Sequence, residues 1–126
     1  MRADRSDDKT TILLIDDEEN LLITLSDFLE FEGYDVVQAR TAEEGIDSIR
    51  QKTPHLIILD MRLPGMGGEE FLKRFVREDG SLPWKVLVLS ARTMPPGFFD
   101  DIHVAGVLAK PCELAEVAQR VRSIVT

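Results

Sequence analysis

A chain of 126 residues, 44% hydrophobic and 30% charged, is about one domain long and has enough apolar side chains for one core, while no apolar run approaches the roughly 20 residues of a membrane span. Fifteen Lys and Arg against twenty-three Asp and Glu leave a formal net charge of -8, which disfavours direct contact with nucleic acid or anionic membrane and favours proteins, cations or small ligands as partners. Cys112 is the only cysteine, so an intrachain disulfide is excluded, a reducing compartment fits, and the cytoplasm is the default location.

Residues 1–9 are polar and lack the apolar core of a signal peptide; they read as a disordered leader, and the folded domain as residues 10–126. The first strand-like run, Ile12–Ile15, ends abruptly in four carboxylates, Asp16, Asp17, Glu18 and Glu19. Two unit charges about 4 Å apart repel by roughly 1 kcal/mol in water and about 4 kcal/mol near a protein surface, so the cluster calls for a cation, a helix N-terminus or solvation. An apolar stripe of Leu21, Leu22, Leu25, Phe28 and Leu29 then predicts a helix, which Gly33 can close in the left-handed conformation. A strand around Val36–Val37 follows. Thr41 and Glu44 have capping-box spacing and open a second helix carrying Ala42, Ile46 and Ile49.

The third strand, Leu56–Leu59, runs into Asp60 and the segment LPGMGG, residues 63–68. That segment lacks both the dinucleotide fingerprint and a Gly-Lys-Ser/Thr phosphate loop, so it reads as a tight turn feeding a third helix with Phe71, Leu72, Phe75 and Val76. Strand Val86–Leu89 ends in Ser90. A helix belongs by topology over Thr93–Ile102, but Pro95, Pro96 and Gly97 oppose regular helix there, so a short or distorted one is expected. Strand Val104–Leu108 leads to Lys110 and Pro111, and a last helix carries Leu114, Val117, Ala118, Val121 and Ile124. All five strands read as buried on both faces. Their alternation with helices predicts an α/β fold, a parallel sheet with helices on both sides.

In an open parallel sheet the ligand site lies beyond the carboxyl ends of the strands. Asp16, Asp17, Asp60, Ser90 and Lys110 all fall there. Glu18 and Glu19 are explained by the dipole of the helix they precede. Asp16 and Asp17 could cap that helix too, but Asp60 arriving from another strand makes a hard-cation site the better account, and magnesium suits a pocket of few carboxylates that keeps its waters. Ser90 or Lys110 alone would be an ordinary turn or surface residue. His55 and His103 sit at the starts of strands as surface residues, Trp84, Phe98 and Phe99 read as isolated packing features, and Cys112 reads as a small packing residue with no histidine to activate it.

IDDEEN, LDMRLPGMGG, VLSA and AKP, in this order and on these strand ends, resemble the receiver domain of two-component response regulators over about residues 10–126. The resemblance implies a five-stranded flavodoxin-like sheet of order 2-1-3-4-5 and a cytoplasmic phosphoacceptor switch, not an enzyme beyond self-catalysed phosphorylation and dephosphorylation. Its partners would be a sensor histidine kinase or histidine phosphotransfer protein and a downstream protein or output domain. Carried over by residue, it makes Asp60 the phosphorylation site and the magnesium ligands Asp17 directly, Asp16 through water, Asp60, and the backbone carbonyl of Arg62. Ser90 would hydrogen-bond the phosphoryl group, and Lys110, set by a cis peptide before Pro111, would pair with it.

Three positions depart from the pattern. Val107 stands where members often carry an aromatic residue that swings inward on phosphorylation, Gly67 where aspartate is usual, and Cys112 where phenylalanine commonly follows Lys-Pro. Val107 and the Pro95-Pro96 interruption leave open a second reading, a pseudo-receiver that keeps the fold as an interaction module without phosphorylation, although the complete set of Asp16, Asp17, Asp60, Ser90 and Lys110 argues against it. A magnesium phosphatase is disfavoured because Arg62 stands where it would carry a second aspartate. With the chain ending as its last helix ends, the expectation is a single-domain regulator or an excised receiver.

Overall fold

The computed structural model describes residues 9–91 and 94–126. The expected leader, except for Lys9, lies outside the described residues, as do Arg92 and Thr93.

Strand and helix alternate as the apolar periodicity predicts except between β4 and β5: β1 (Thr11–Ile15), α1 (Glu19–Phe31), β2 (Asp35–Ala39), α2 (Ala42–Gln51), β3 (Leu56–Asp60), α3 (Gly68–Phe75), β4 (Lys85–Ser90), β5 (Gly106–Ala109) and α4 (Leu114–Val125). The five strands form one parallel sheet of order β2-β1-β3-β4-β5. Successive strand side chains point to opposite faces, so each central strand feeds two cores. Ile12, Leu14, Leu56, Ile58, Leu87 and Leu89 pack with Leu22, Leu25 and Leu29 of α1 and Val117, Ala118 and Val121 of α4. Leu13, Ile15, Ile57, Leu59, Val86 and Val88 pack with Ala42 and Ile46 of α2 and Phe71 and Leu72 of α3. No described helix is long and apolar enough to cross a membrane.

Local chemistry sets the boundaries. Gly33 has φ +105°, and its N–H donates to the Glu30 carbonyl where α1 ends. The Thr41 hydroxyl accepts from the Glu44 N–H at 3.1 Å, while Glu44 Oε1 accepts from the N–H of Arg40 instead of Thr41, a capping box reaching one residue further back. At the start of α3, Gly68 lies so close to the main chain beyond β3 that a Cβ there would sit 2.7 Å from the Met61 Cα.

Four expectations need correction. β2 and β5 are the sheet edges and are partly exposed, so only β1, β3 and β4 are buried on both faces. β5 begins at Gly106 and not Val104, because the Val104 N–H turns back to the Ile102 carbonyl. Residues 94–102 form successive three-residue turns with no regular helix; Phe98, Asp100 and Ile102 donate to Pro95, Gly97 and Phe99. Pro96 has no N–H to give, and Gly97 at φ +81° breaks the helical run. Trp84, finally, is not isolated: its ring lies 5.9 Å from Phe71 and 5.1 Å from Phe75, seating α3 where β4 begins. Phe98 and Phe99 pair edge to face at 4.9 Å.

Candidate phosphoacceptor site

Sheet register brings the chemistry together. Ile15 pairs with Leu59, so Asp16 follows β1 beside Asp60. Asp60 pairs with Leu89, which puts Ser90 next along β4, and Ser90 pairs with Ala109, which puts Lys110 next along β5. The strand order reverses between β1 and β3, so Asp16 and Asp60 flank the crevice where an open α/β sheet takes its ligand.

Asp16 is wholly buried and both its oxygens are used. Oδ1 accepts the Glu18 N–H at 2.9 Å, and Oδ2 accepts from the Lys110 ammonium at 2.8 Å. Asp60 is 4% exposed; its Oδ1 accepts the Arg62 N–H at 3.1 Å and its Oδ2 lies 3.5 Å from Lys110 Nζ. Asp17 is exposed, yet one oxygen from each of Asp16, Asp17 and Asp60 fits within a 4.8 Å group. Ser90 is buried at the end of β4, and its carbonyl accepts the Lys110 N–H at 2.7 Å. The Lys110–Pro111 peptide is cis.

The electrostatics follow from burial and crowding. Desolvation raises the Asp60 carboxyl above its ordinary pKa; the Arg62 N–H opposes this, the Asp16 charge adds to it, Lys110 opposes and Asp17 adds. Burial alone would lower Lys110, but its hydrogen bond to Asp16 and the charges of Asp16, Asp60 and Glu18 leave it raised. Four carboxylates around one ammonium leave the pocket negative. That all-oxygen donor set fits a hard divalent cation, with Asp16, Asp17 and Asp60 converging and Arg62 at the rim.

The cleft above these groups, about 580 Å³, is lined by Asp17, Glu18, Asp60, Arg62, Ala91 and Lys110 among others. All six expected site residues therefore lie at one sheet edge, with Ser90 forming a wall of the adjoining cavity. Residue-by-residue reading missed Glu18. It precedes α1 but makes no side-chain cap; its Oε1 lies 3.8 Å from Lys110 Nζ instead. Glutamate is a poor N-cap residue, and that was the available signal. Glu19, beside it, turns away to pair with Arg40 at 2.7 Å.

Cys112 packs against the core as expected, and burial, then the Glu116 charge, pushes its thiol up. His55 and His103 are exposed at the opposite strand ends, where His55 Nδ1 accepts the Thr11 N–H and a groove of about 730 Å³ opens. Among the described residues, the only cluster of three or more potential metal-ligating acidic, histidine or cysteine side chains is Asp16, Asp17 and Asp60.

Comparison with known proteins places the chain in a family. The family model for the response regulator receiver domain matches residues 12–122. The chain is 35% identical over 118 residues to the uncharacterized transcriptional regulatory protein YkoG of Bacillus subtilis, covering 92% of this chain and 51% of that one. It is 32% identical over 117 residues to sporulation initiation phosphotransferase F of the same organism, covering 88% of this chain and 90% of that one. The chain thus spans about half the length of several relatives it matches. The non-phosphorylated HemR receiver domain from Leptospira biflexa superposes with a TM-score of 0.81 at 30% identity, covering 94% of this chain and 95% of that one. The signal receiver domain of a LuxO repressor protein from Vibrio parahaemolyticus gives a TM-score of 0.81 at 26% identity, covering 92% and 89%. The chain belongs to the response regulator receiver domain family.

Proposed function

We propose that this domain is the phosphoacceptor of a two-component system, taking a phosphoryl group onto Asp60 from a histidine kinase or histidine phosphotransfer protein in the cytoplasm and changing its partners as a result. The observation that carries the reading is the placement of Asp60: a buried carboxylate at the β1/β3 crevice, within reach of two further carboxylates and 3.5 Å from an ammonium.

An Asp60 oxygen attacks phosphorus in line as the phosphorus–nitrogen bond to the donor imidazole breaks, and the departing electron pair stays on that nitrogen. Lys110, now shared between Asp16 and Asp60, pairs with the phosphoryl oxygens. Ser90 donates its hydroxyl to one of them. The Arg62 N–H holds the Asp60 carboxylate in orientation through Oδ1. Asp16, Asp17, Asp60 and the Arg62 carbonyl would hold a magnesium ion, whose positive charge would offset the negative charge on the transferring oxygens.

Intact-mass analysis with a small phosphodonor tests this directly. The chain should gain one phosphoryl group in the presence of magnesium and none in chelator, and Asp60→Asn should gain none. A phosphoryl group that persists in that variant would place the acceptor elsewhere.

A further inference from the structure

Neighbouring glutamates at the start of α1 have different fates. Glu19 is neutralised by Arg40 at 2.7 Å, outside the cleft. Among the described residues, Glu18 has its nearest cation in Lys110, with Oε1 3.8 Å from Nζ, and it lines both the acidic cleft and the adjoining pocket beside Leu21 and Cys112. Its side chain is 63% exposed, so it stands at the mouth, whereas Asp16, pulling on the same ammonium at 2.8 Å, lies at the floor.

Two effects of that placement have one sign. An incoming phosphoryl donor brings negative oxygens past Glu18 before they reach Asp60, so Glu18 repels it. Glu18 also competes for Lys110, the one ammonium among the described residues that could receive those oxygens in the cleft. A freely diffusing anion meets both costs, with little contact energy to offset them. A donor histidine on a docked protein is held in place by contacts elsewhere, so it is less sensitive to one charge at the rim.

We infer that Glu18 is a specificity-determining residue of this site, a charge at its mouth that disfavours small anionic phosphodonors by repelling them and by competing with them for Lys110. The inference rests on the reading of Asp60 as the phosphoacceptor. With acetyl phosphate as donor, the Asp60 oxygen bonds to phosphorus, the phosphorus–oxygen bond to the acetyl group breaks, and acetate leaves with the electron pair.

The test compares the unsubstituted chain, Glu18→Gln and Glu19→Gln at saturating magnesium. The donors are acetyl phosphate, a dianion at neutral pH, and phosphoramidate, which carries less net negative charge. At low salt Glu18→Gln should accelerate phosphorylation by acetyl phosphate about three- to tenfold, through a lower half-saturating concentration and little change in limiting rate, with a smaller gain for phosphoramidate. Beryllium fluoride should bind it more tightly by a similar factor. Both gains should shrink towards zero near about 1 M salt, where exposed charges are screened beyond about 3 Å; a structural effect would not show that dependence. Glu19→Gln should match the unsubstituted chain. The inference is overturned if Asp60 is phosphorylated at a rate indifferent to Glu18, if the gain survives high salt, or if Glu19→Gln reproduces it. If the unsubstituted chain takes no phosphoryl group on Asp60 from either donor, the phosphoacceptor reading itself fails, and the inference with it.

Discussion

Lys110 Nζ reaches across the sheet edge to Asp16 Oδ2 at 2.8 Å, joining the end of β5 to the end of β1 although the two residues are 94 apart in sequence. The carboxylate is wholly buried, and the ammonium supplies one of the hydrogen bonds that make this tolerable; the Glu18 N–H supplies the other. Removing one member of a buried pair leaves the other uncompensated, at a cost of about 3–5 kcal/mol. In chelator, Lys110→Met should therefore lose about 3 kcal/mol or more in urea unfolding, because Asp60, 3.5 Å from the ammonium, loses the same counter-charge. Magnesium should bind this variant more tightly than the unsubstituted chain, since the divalent ion becomes the remaining counter-charge. Unchanged stability together with weaker magnesium binding would contradict the pairing.

Asp60 answers to pH in the opposite sense from most surface carboxylates. Its folded-state pKa is raised, chiefly by burial, so the stability it contributes is present below the unfolded value near 3.9 and is lost as pH rises through the folded value. At neutral pH its ionised form is a burden on the fold. Asp60→Asn should be more stable than the unsubstituted chain at pH 7 in chelator, by about 1 kcal/mol, with the gap narrowing as pH falls towards about 4 and as magnesium is added. Urea titrations at several pH values read this out, and a less stable Asp60→Asn at pH 7 would refute it.

Much of this was legible in the chain because the central strands are so apolar. Ile12–Ile15 and Leu56–Leu59 are apolar enough that only burial suits them, so the residues that end them, Asp16 and Asp60, must lie at a sheet edge. Edge strands are harder. Val36–Val37 and Val107 look like core residues in sequence, but sheet order is a long-range property and leaves Val37 and Val107 exposed. The direction of a side chain at a helix start is harder still. Glu18 and Glu19 are the same residue type side by side, and only the positions of Lys110 and Arg40, distant in the chain, separate their roles. Trp84 joined an aromatic cluster for the same reason, its partners Phe71 and Phe75 lying on a helix that packs back onto β4.

The acidic group should behave as a defined site. Asp17→Asn removes an oxygen from the set converging on Asp60, whereas Glu19→Gln removes one already engaged by Arg40. In a magnesium titration followed by NMR shifts, Asp17→Asn should weaken binding about tenfold or more, and Glu19→Gln by less than about twofold, the residue of long-range attraction after screening. Equal losses would mean that the cluster attracts cations diffusely.

The connection between β4 and β5 is where a change at Asp60 has room to act. A cavity of about 440 Å³ lies there, walled by Ser90, Val107 and Ala109 on the sheet side and by Met94, Pro95 and Phe98 among others on the loop side. Val107 is β-branched and stiff at its first torsion, so it cannot move a ring into that space. Phe98 lies in a run of single turns, tied by one backbone bond of 3.1 Å to Pro95 and by its edge-to-face contact with Phe99, whereas Phe99 and Ile102 are anchored in the core beneath α3. Few cooperative hydrogen bonds mean low local stability, and low-stability segments are the ones most easily reordered. In peptide-resolved hydrogen exchange, residues 94–101 should exchange faster than α1 or α4, with protection returning at Ile102 and His103, whose N–H groups donate to Phe99 and Gly80. Beryllium fluoride with magnesium, by drawing the Ser90 hydroxyl towards Asp60, should change exchange in residues 94–101 by at least about threefold while α1 and α4 change little. Val107→Tyr should alter that response without altering phosphorylation of Asp60, because the residue faces the cavity and not the cleft. Protection of residues 94–101 equal to that of the helices, with no response to beryllium fluoride, would remove this connection from the path by which the site is read.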